Sequence, residues 1–343
     1  MSICQVVLGD SPDPARGDRQ RQRWIGAAAA LILIAAAGTL SGCGLSSGAI
    51  TGAAIRGSVA GERPPLVSTA TANPTLNLHA VRGTVRTMVR RTRHSASVGT
   101  LAYIPETLDN CGPAAISSVL AYWHVYRTQA QVQASVRADD SDFGMAPFDV
   151  PAYTRSLGLR AVVGPRGNQR MIKSFISNGI PVIVNQWVAS DDAILHYRPV
   201  ESYSDRTQTY VSADPYLGPG HVISFAEFRS IWQVRDRRFI VIFPPSKQAL
   251  VNAILRRAGW NYQRAYKRDL AWFAPQLRSD DIDTPGTWLN YNGYVEAAWA
   301  ADQAGEYRVA GSYLREATRA GESAILIHWI WRDMSERIKS GIR

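Results

Sequence analysis

Three residues that can act together as nucleophile, base and orienting acid lie far apart in this 343-residue chain: Cys111, His196 and Asp214. Cys111 sits in Asp109-Asn-Cys-Gly-Pro-Ala-Ala115, where a turn becomes a helix. Gly112 lets the backbone turn tightly, and Pro113 fits a first helical turn, where no N–H is needed. A thiol at a helix N-terminus feels the positive end of the dipole, so its thiolate is favoured, and the unpaired N–H groups beside it can hold a developing oxyanion. The same local pattern also fits a small buried cysteine capping a core helix, and the residues around it leave both readings open. A histidine within reach would take the thiol proton, and a carboxylate behind it would fix the imidazole tautomer.

These residues need elements to position them. Ile116, Val119, Leu120 and Trp123 recur at three- and four-residue steps after Cys111, which predicts one buried stripe on a helix running to about Tyr126. Short helices follow over 129–137, 147–157 and 168–177, with a strand over 159–163 between the last two. The period then changes to two. Pro181-Val-Ile-Val-Asn-Gln-Trp187, His196 to Tyr203, Thr209 to Ala213 and Arg238 to Phe243 read as strands, with a helix over 225–232. Helices first and an antiparallel sheet second is an α+β layout. A hairpin would then put His196, at the start of one strand, beside Asp214, at the end of the next.

Rival residues carry blander readings. His221 lies in Gly218-Pro-Gly-His and reads as a loop histidine, with His124 placed inside the first helix as packing or surface. Gln186 could offer a polar contact at a strand end. Asp109 and Asn110 read as helix caps, and Asp191 and Asp192 as loop solvation.

The charge of +10 suggests a nucleic-acid partner at first sight, but eleven arginines and four acids in residues 1–97 supply seven of the ten surplus charges. The remainder is too weakly basic to predict a phosphate-binding surface, so no nucleic-acid partner is expected. Cys4, Cys43 and Cys111 make neither a disulfide framework nor a metal spacing, and no cofactor or metal is expected. Arg16 to Arg23 is basic, Trp24 to Leu40 is apolar, and Leu40-Ser-Gly-Cys43 follows. A charged region, an apolar run and small residues before a cut form a secretory signal. Its ending resembles a bacterial lipobox, which implies cleavage before Cys43, lipidation of that thiol, and a cell-envelope location on the extracytoplasmic side of a membrane. The alternative is an uncleaved signal anchor. Residues 44–97 are rich in Gly, Ser, Ala and Thr and then in Arg, and read as a flexible basic linker.

Asn110-Cys-Gly-Pro-Ala-Ala115, the strand Pro181-Val-Ile-Val, His196-Tyr197 and Ala213-Asp-Pro215 together resemble the C39-like cysteine peptidases, over roughly residues 99–243. The resemblance implies a papain-like fold, a thiol peptidase without a cofactor, and Cys111, His196 and Asp214 as nucleophile, base and orienter. Two features depart from the family. Glu106 stands where a Gln usually donates to the oxyanion, and an ionised Glu would repel one. Arg198-Pro199 interrupts the strand after the histidine, which suggests an edge or a bulge. Some members of the wider family trim double-glycine leaders and are joined to transporters; with no such membrane domain expected in this chain, that substrate is not implied.

The domain plan is therefore a signal peptide and lipobox over 1–43, the linker over 44–97, a C39-like domain over 98–245, and serial helices over 246–343. Tyr294, Ala298, Gly305, Tyr307, Ala310 and Ala317 resemble one tetratricopeptide-type repeat, which would offer a surface to a protein partner; the alternative is a bundle braced on the peptidase domain. The expected function is a membrane-anchored cysteine peptidase acting on peptides or proteins. The alternatives are a decayed peptidase fold that binds or scaffolds, with Glu106 as its support, and a thiol acyltransferase.

Overall fold

The structure is a computed structural model that describes residues 89–137, 145–277, 289–322 and 324–339. Cys4, the signal, the lipobox with Cys43, and most of the linker lie outside the described residues. Among the described residues no helix is long and apolar enough to cross a membrane.

Seven strands form one sheet: β1 Ser95–Ser97, β2 Arg160–Gly164, β3 Val182–Ala189, β4 Asp192–Ser204, β5 Thr209–Asp214, β6 Gly218–Ser224 and β7 Phe239–Phe243. Their order is β2-β7-β3-β4-β5-β6, with every pairing antiparallel. The hairpin strands β3 and β4 are set by Val182↔Val200 through Trp187↔Leu195, which places Gln186 directly opposite His196. Beyond Val200 β3 has ended, and β1 takes its place along β4 with Ser95↔Ser204 and Ser97↔Ser202. The linker expected to reach Ser97 therefore gives way to packed chain by Val89, which is buried, because β4 offers backbone donors and acceptors that must be paired.

The sheet is buried on both faces, as the period-two apolar runs require. Ile183, Tyr197, Ile240 and Ile242 face one core, while Val182, Val184, Phe239, Val241 and Phe243 face the other. The first core holds α1 (Cys111–Tyr122), α2 (Gln129–Val136) and the segment around Met145 and Val150, which leads into α3 (Val150–Ser156). The second holds α4 (Gln169–Ser177), α5 (Phe225–Trp232) and α6 (Gln248–Arg257). The remaining helices are α7 (Tyr262–Gln276), α8 (Leu289–Gln303), α9 (Tyr307–Arg319) and α10 (Ala324–Lys339). Tyr266, Val295, Trp299, Leu314 and Ile330 from these four helices continue the first core instead of closing a separate one.

Several expectations need correction. The helix after Cys111 is buried all round, ten successive residues from Cys111 to Leu120, and not along a stripe. It lies under the sheet and is covered by α2 and by the Met145 segment, so it has no solvent face; its buried Ser117 is satisfied by the Pro113 carbonyl at 2.9 Å. It stops at Tyr122, and His124 lies past its end, exposed and left-handed at φ 61°. His221 is in a strand, opposite Ser212 on the edge strand β6, where Pro219 is tolerated because an edge leaves some N–H groups without partners. Pro199 is on neither an outer edge strand nor a bulge: β4 is central, the irregularity lies between Val200 and Ser202, and β5 pairs with β4 only from Val200 onward.

A buried ionic cluster ties the sheet to the C-terminal helices. Arg235 donates to Glu296 at 2.7 Å and Arg238 to the same carboxylate at 3.0 Å, with Asp269 3.7 Å from Arg238. Arg235, Arg238, Glu296 and Asp269 are all almost wholly buried. Removing one partner of such a pair leaves an uncompensated charge in a medium that solvates it poorly. Glu296→Ala is expected to cost about 3–5 kcal/mol of stability, measured by urea unfolding of the full chain, and to expose Trp299, whose ring Arg238 overlies at 5.4 Å.

Candidate active site

Cys111 is the first residue of α1, buried, and a free thiol. No side chain caps this helix. Asn110 precedes it, but its amide donates to Thr107 at 2.7 Å and Gln133 at 2.9 Å and its carbonyl accepts from Arg137 at 2.9 Å. The capping role read for Asn110 and Asp109 is thus not what these residues do: Asn110 pins the entry loop to α2, and Asp109 makes the turn at φ 57°. The first-turn N–H groups remain for an anionic oxygen. Gly112 is needed for space, since a Cβ there would stand 2.9 Å from the Met145 side chain.

His196 is on β4, wholly buried, hydrogen-bonded to Asp214, with a ligand atom of Cys111 within 4.8 Å of its own. Its Nε2 lies 2.9 Å from Asp214 Oδ1. Asp214 ends β5 and accepts three further bonds: the Tyr216 N–H at 2.9 Å and the Leu217 N–H at 2.8 Å on Oδ1, and Arg198 Nε on Oδ2. Burial opposes its charge, but the bond from His196, the charges of His196 and Arg198, and the Leu217 N–H outweigh it and hold the carboxyl well below its ordinary range. An ionised carboxylate only accepts, so Nε2 carries the proton, and in the neutral ring Nδ1 is a bare lone pair on the side of Cys111. Burial lowers the basicity of the ring, yet the bond to Asp214 and the neighbouring Cys111 and Asp214 raise it overall, to about 10. A strong base therefore lies beside a thiol at a helix N-terminus.

Glu106 joins this group. One ligand atom each from Glu106, Cys111 and His196 lies within 4.8 Å of the other two, and Glu106 Oε2 is 3.8 Å from His196 Nδ1. Its backbone N–H is fixed to the Pro215 carbonyl at 3.1 Å, so the turn after Asp214 holds it in place. Oε2 has no hydrogen-bond partner, and burial, against the pull of His196 and with the push of Asp214 and Asp109, raises the carboxyl above its usual range.

Arg198, read from the sequence only as an interruption of the strand, has a role at the site. It is completely buried, bonds Asp214, and donates from Nη2 to the Val188 carbonyl at 2.9 Å. Its signal was legible: two residues after His196 in a strand means the same face. Gln186 was read as a bland strand-end amide, but it is wholly buried opposite His196, and neither of its polar side-chain atoms has a partner. The Tyr216 ring stands edge-on to His196 at 6.4 Å. Leu108, Ile194, Tyr216 and Leu217 are exposed apolar side chains, each within a few residues of a member of the triad. The hydrogen bonds and ion pairs of the site run through His196; His221, on β6, feels the charges of Arg198, Asp214 and His196 but is held below its ordinary basicity mainly by burial.

The geometry is that of a thiol–imidazole–carboxylate line on an α+β frame. Residues 92–238, a little under half of the chain, match the model of the Peptidase_C39 like family. Solved structures that resemble the chain include two peptidase domains. One is a double glycine motif protease from an AMS/PCAT transporter in complex with the leader peptide, 19% identical over 43% of this chain and 92% of its own, with a TM-score of 0.33. The other is the peptidase domain of Streptococcus ComA, a bi-functional ABC transporter involved in a quorum sensing pathway, 19% identical over 42% of this chain and 98% of its own, with a TM-score of 0.34. No curated protein matches.

The depressed carboxyl makes a signed prediction. The stability that Asp214 contributes is present above the carboxyl's unfolded value, about 3.9, and is lost as pH falls below that toward its lower folded value. Asp214→Asn should therefore destabilise the chain strongly at pH 6 and much less at pH 2.5, measured as the difference in urea midpoint between variant and wild type.

Proposed function

We propose that this chain is a cysteine peptidase acting through Cys111, His196 and Asp214. The observation that carries the reading is the His196–Asp214 bond at 2.9 Å with the other ring nitrogen left to Cys111. His196 takes the thiol proton and Asp214 holds the imidazolium. The sulfur attacks a peptide carbonyl whose oxygen moves toward the uncapped first turn of α1. His196 then returns the proton to the leaving amine, and water hydrolyses the thioester by the same relay. The exposed Leu108, Ile194, Tyr216 and Leu217 around the triad suit an apolar peptide segment. The leader peptide bound by one solved relative supports a peptide substrate in general terms.

The N-terminal signal supports a lipid-anchored, extracytoplasmic enzyme, with Cys43 lipidated. A thiol acyltransferase would use the same nucleophile and pass the thioester to an acceptor other than water. Glu106 favours a second reading, a decayed peptidase that binds without turning over, because an ionised carboxylate beside the thiol opposes an oxyanion.

A peptidyl thiol-reactive probe should label Cys111 in the folded chain at neutral pH, with labelling lost in Cys111→Ala and slowed by roughly three orders of magnitude in His196→Ala. A folded wild type that stays unlabelled would rule out the enzyme and leave the binding module. For the anchor, mass spectrometry of the mature N-terminus should find acylated Cys43, and Cys43→Ala should move the protein to the soluble fraction.

A further inference from the structure

We propose that Cys111, His196 and Glu106 together bind a zinc ion, and that zinc and the reactive thiolate exclude one another. The regulatory meaning rests on the peptidase reading; the binding itself does not.

The donor set is a soft thiolate, an imidazole and a carboxylate. That mixture selects zinc over magnesium or calcium, which take oxygen ligands. The spacing suits it. Zinc bonds of about 2.0–2.3 Å put tetrahedral ligand atoms about 3.5 Å apart. The three side chains already lie within 4.8 Å of one another, with His196 Nδ1 and Glu106 Oε2 at 3.8 Å. A modest closure, led by the partly exposed Glu106, is all that coordination requires. Three protein ligands leave a fourth position for water.

The supporting shell is built too. A metal-bound imidazole is held by a carboxylate on its other nitrogen, which fixes the ring and raises its basicity. Asp214 stands there at 2.9 Å, itself fixed by Arg198 and two backbone N–H groups. The charges balance as well. Thiolate and Glu106 carboxylate offset the two charges of zinc, while Asp214 is already countered by Arg198. Glu106 Oε2 is a buried acceptor without a partner, facing the ring nitrogen that the ion would share. An amide at this position would supply a neutral donor in place of the second anion. The departure from the family pattern is thus the change that completes a zinc set.

Binding moves no electrons. Any proton on the ligand atoms leaves to solvent as sulfur, Nδ1 and carboxylate bond the ion, so affinity rises with pH. With its lone pair on zinc, the sulfur cannot attack a carbonyl.

The test uses the full chain, reduced and stripped of metal, with iodoacetamide alkylation of Cys111 followed by mass spectrometry of its own peptide, so that Cys4 and Cys43 do not interfere. Zinc should protect Cys111 with one ion per chain, EDTA should restore reactivity, and magnesium at the same concentration should do nothing. Glu106→Gln should raise the zinc concentration for half protection by roughly tenfold or more, while its circular dichroism and urea midpoint, matched to wild type, show that it is folded; Glu106→Ala replaces it if the amide variant does not fold. Alkylation indifferent to zinc, or half protection unchanged in the Glu106 variant, overturns the proposal. A metal-free Cys111 no more reactive than an ordinary thiol sinks the peptidase reading instead, and zinc uptake is then read by calorimetry, where loss of one site in Cys111→Ala upholds this proposal and no such loss overturns it.

Discussion

Asp214 is the charge around which the site is built. It is buried, and a buried carboxylate survives as an anion only if every oxygen is met by donors. His196 and two backbone N–H groups meet one oxygen, and Arg198 meets the other. That arrangement fixes more than its own protonation. It fixes the tautomer of His196, hence the lone pair toward Cys111. It fixes the turn through Tyr216 and Leu217, whose neighbour Pro215 holds the backbone of Glu106. It also sets the Tyr216 ring edge-on to His196 at 6.4 Å. One anion orders the base, the loop and the neighbouring carboxyl together.

A second set of buried charges does comparable work at a distance. Arg235 and Arg238, just before β7, reach Glu296 in α8, and Arg238 also faces Asp269 in α7. Several of their atoms lack hydrogen-bond partners, so the cluster is costly in isolation. It is compensated by the apolar core that β7, α7 and α8 share with α1. The helix that carries Cys111 and the C-terminal helices are thus packed into one core. Cys111 itself belongs to the same apolar core as the C-terminal helices.

Glu106 gives this site its individual character. Its carboxyl is close enough to the imidazole to compete with the thiol for it, and burial favours its neutral form. In the neutral state it can donate to an oxyanion; in the charged state it repels one and attracts a cation.

The strand of His196 starts at Asp192 and not at the histidine itself. What could be read along the chain was a change from helical to alternating period, a turn before Cys111, a histidine in one strand and an aspartate ending the next. Those features are local, set by backbone preference and by the side-chain period, and so were readable from neighbours in the chain. The sequence also showed that Glu106 was unusual. What only the tertiary structure decided is non-local. That α1 is buried all round depends on three other segments covering it. That Pro219 and His221 lie in a strand depends on β5 offering an edge. That Arg198 clamps Asp214, that Gln186 faces His196 without a partner, and that the linker's end is recruited as β1 all depend on which strands lie side by side. A charge or an amide is assigned its role by what surrounds it in space, and no pattern along the chain carries that information.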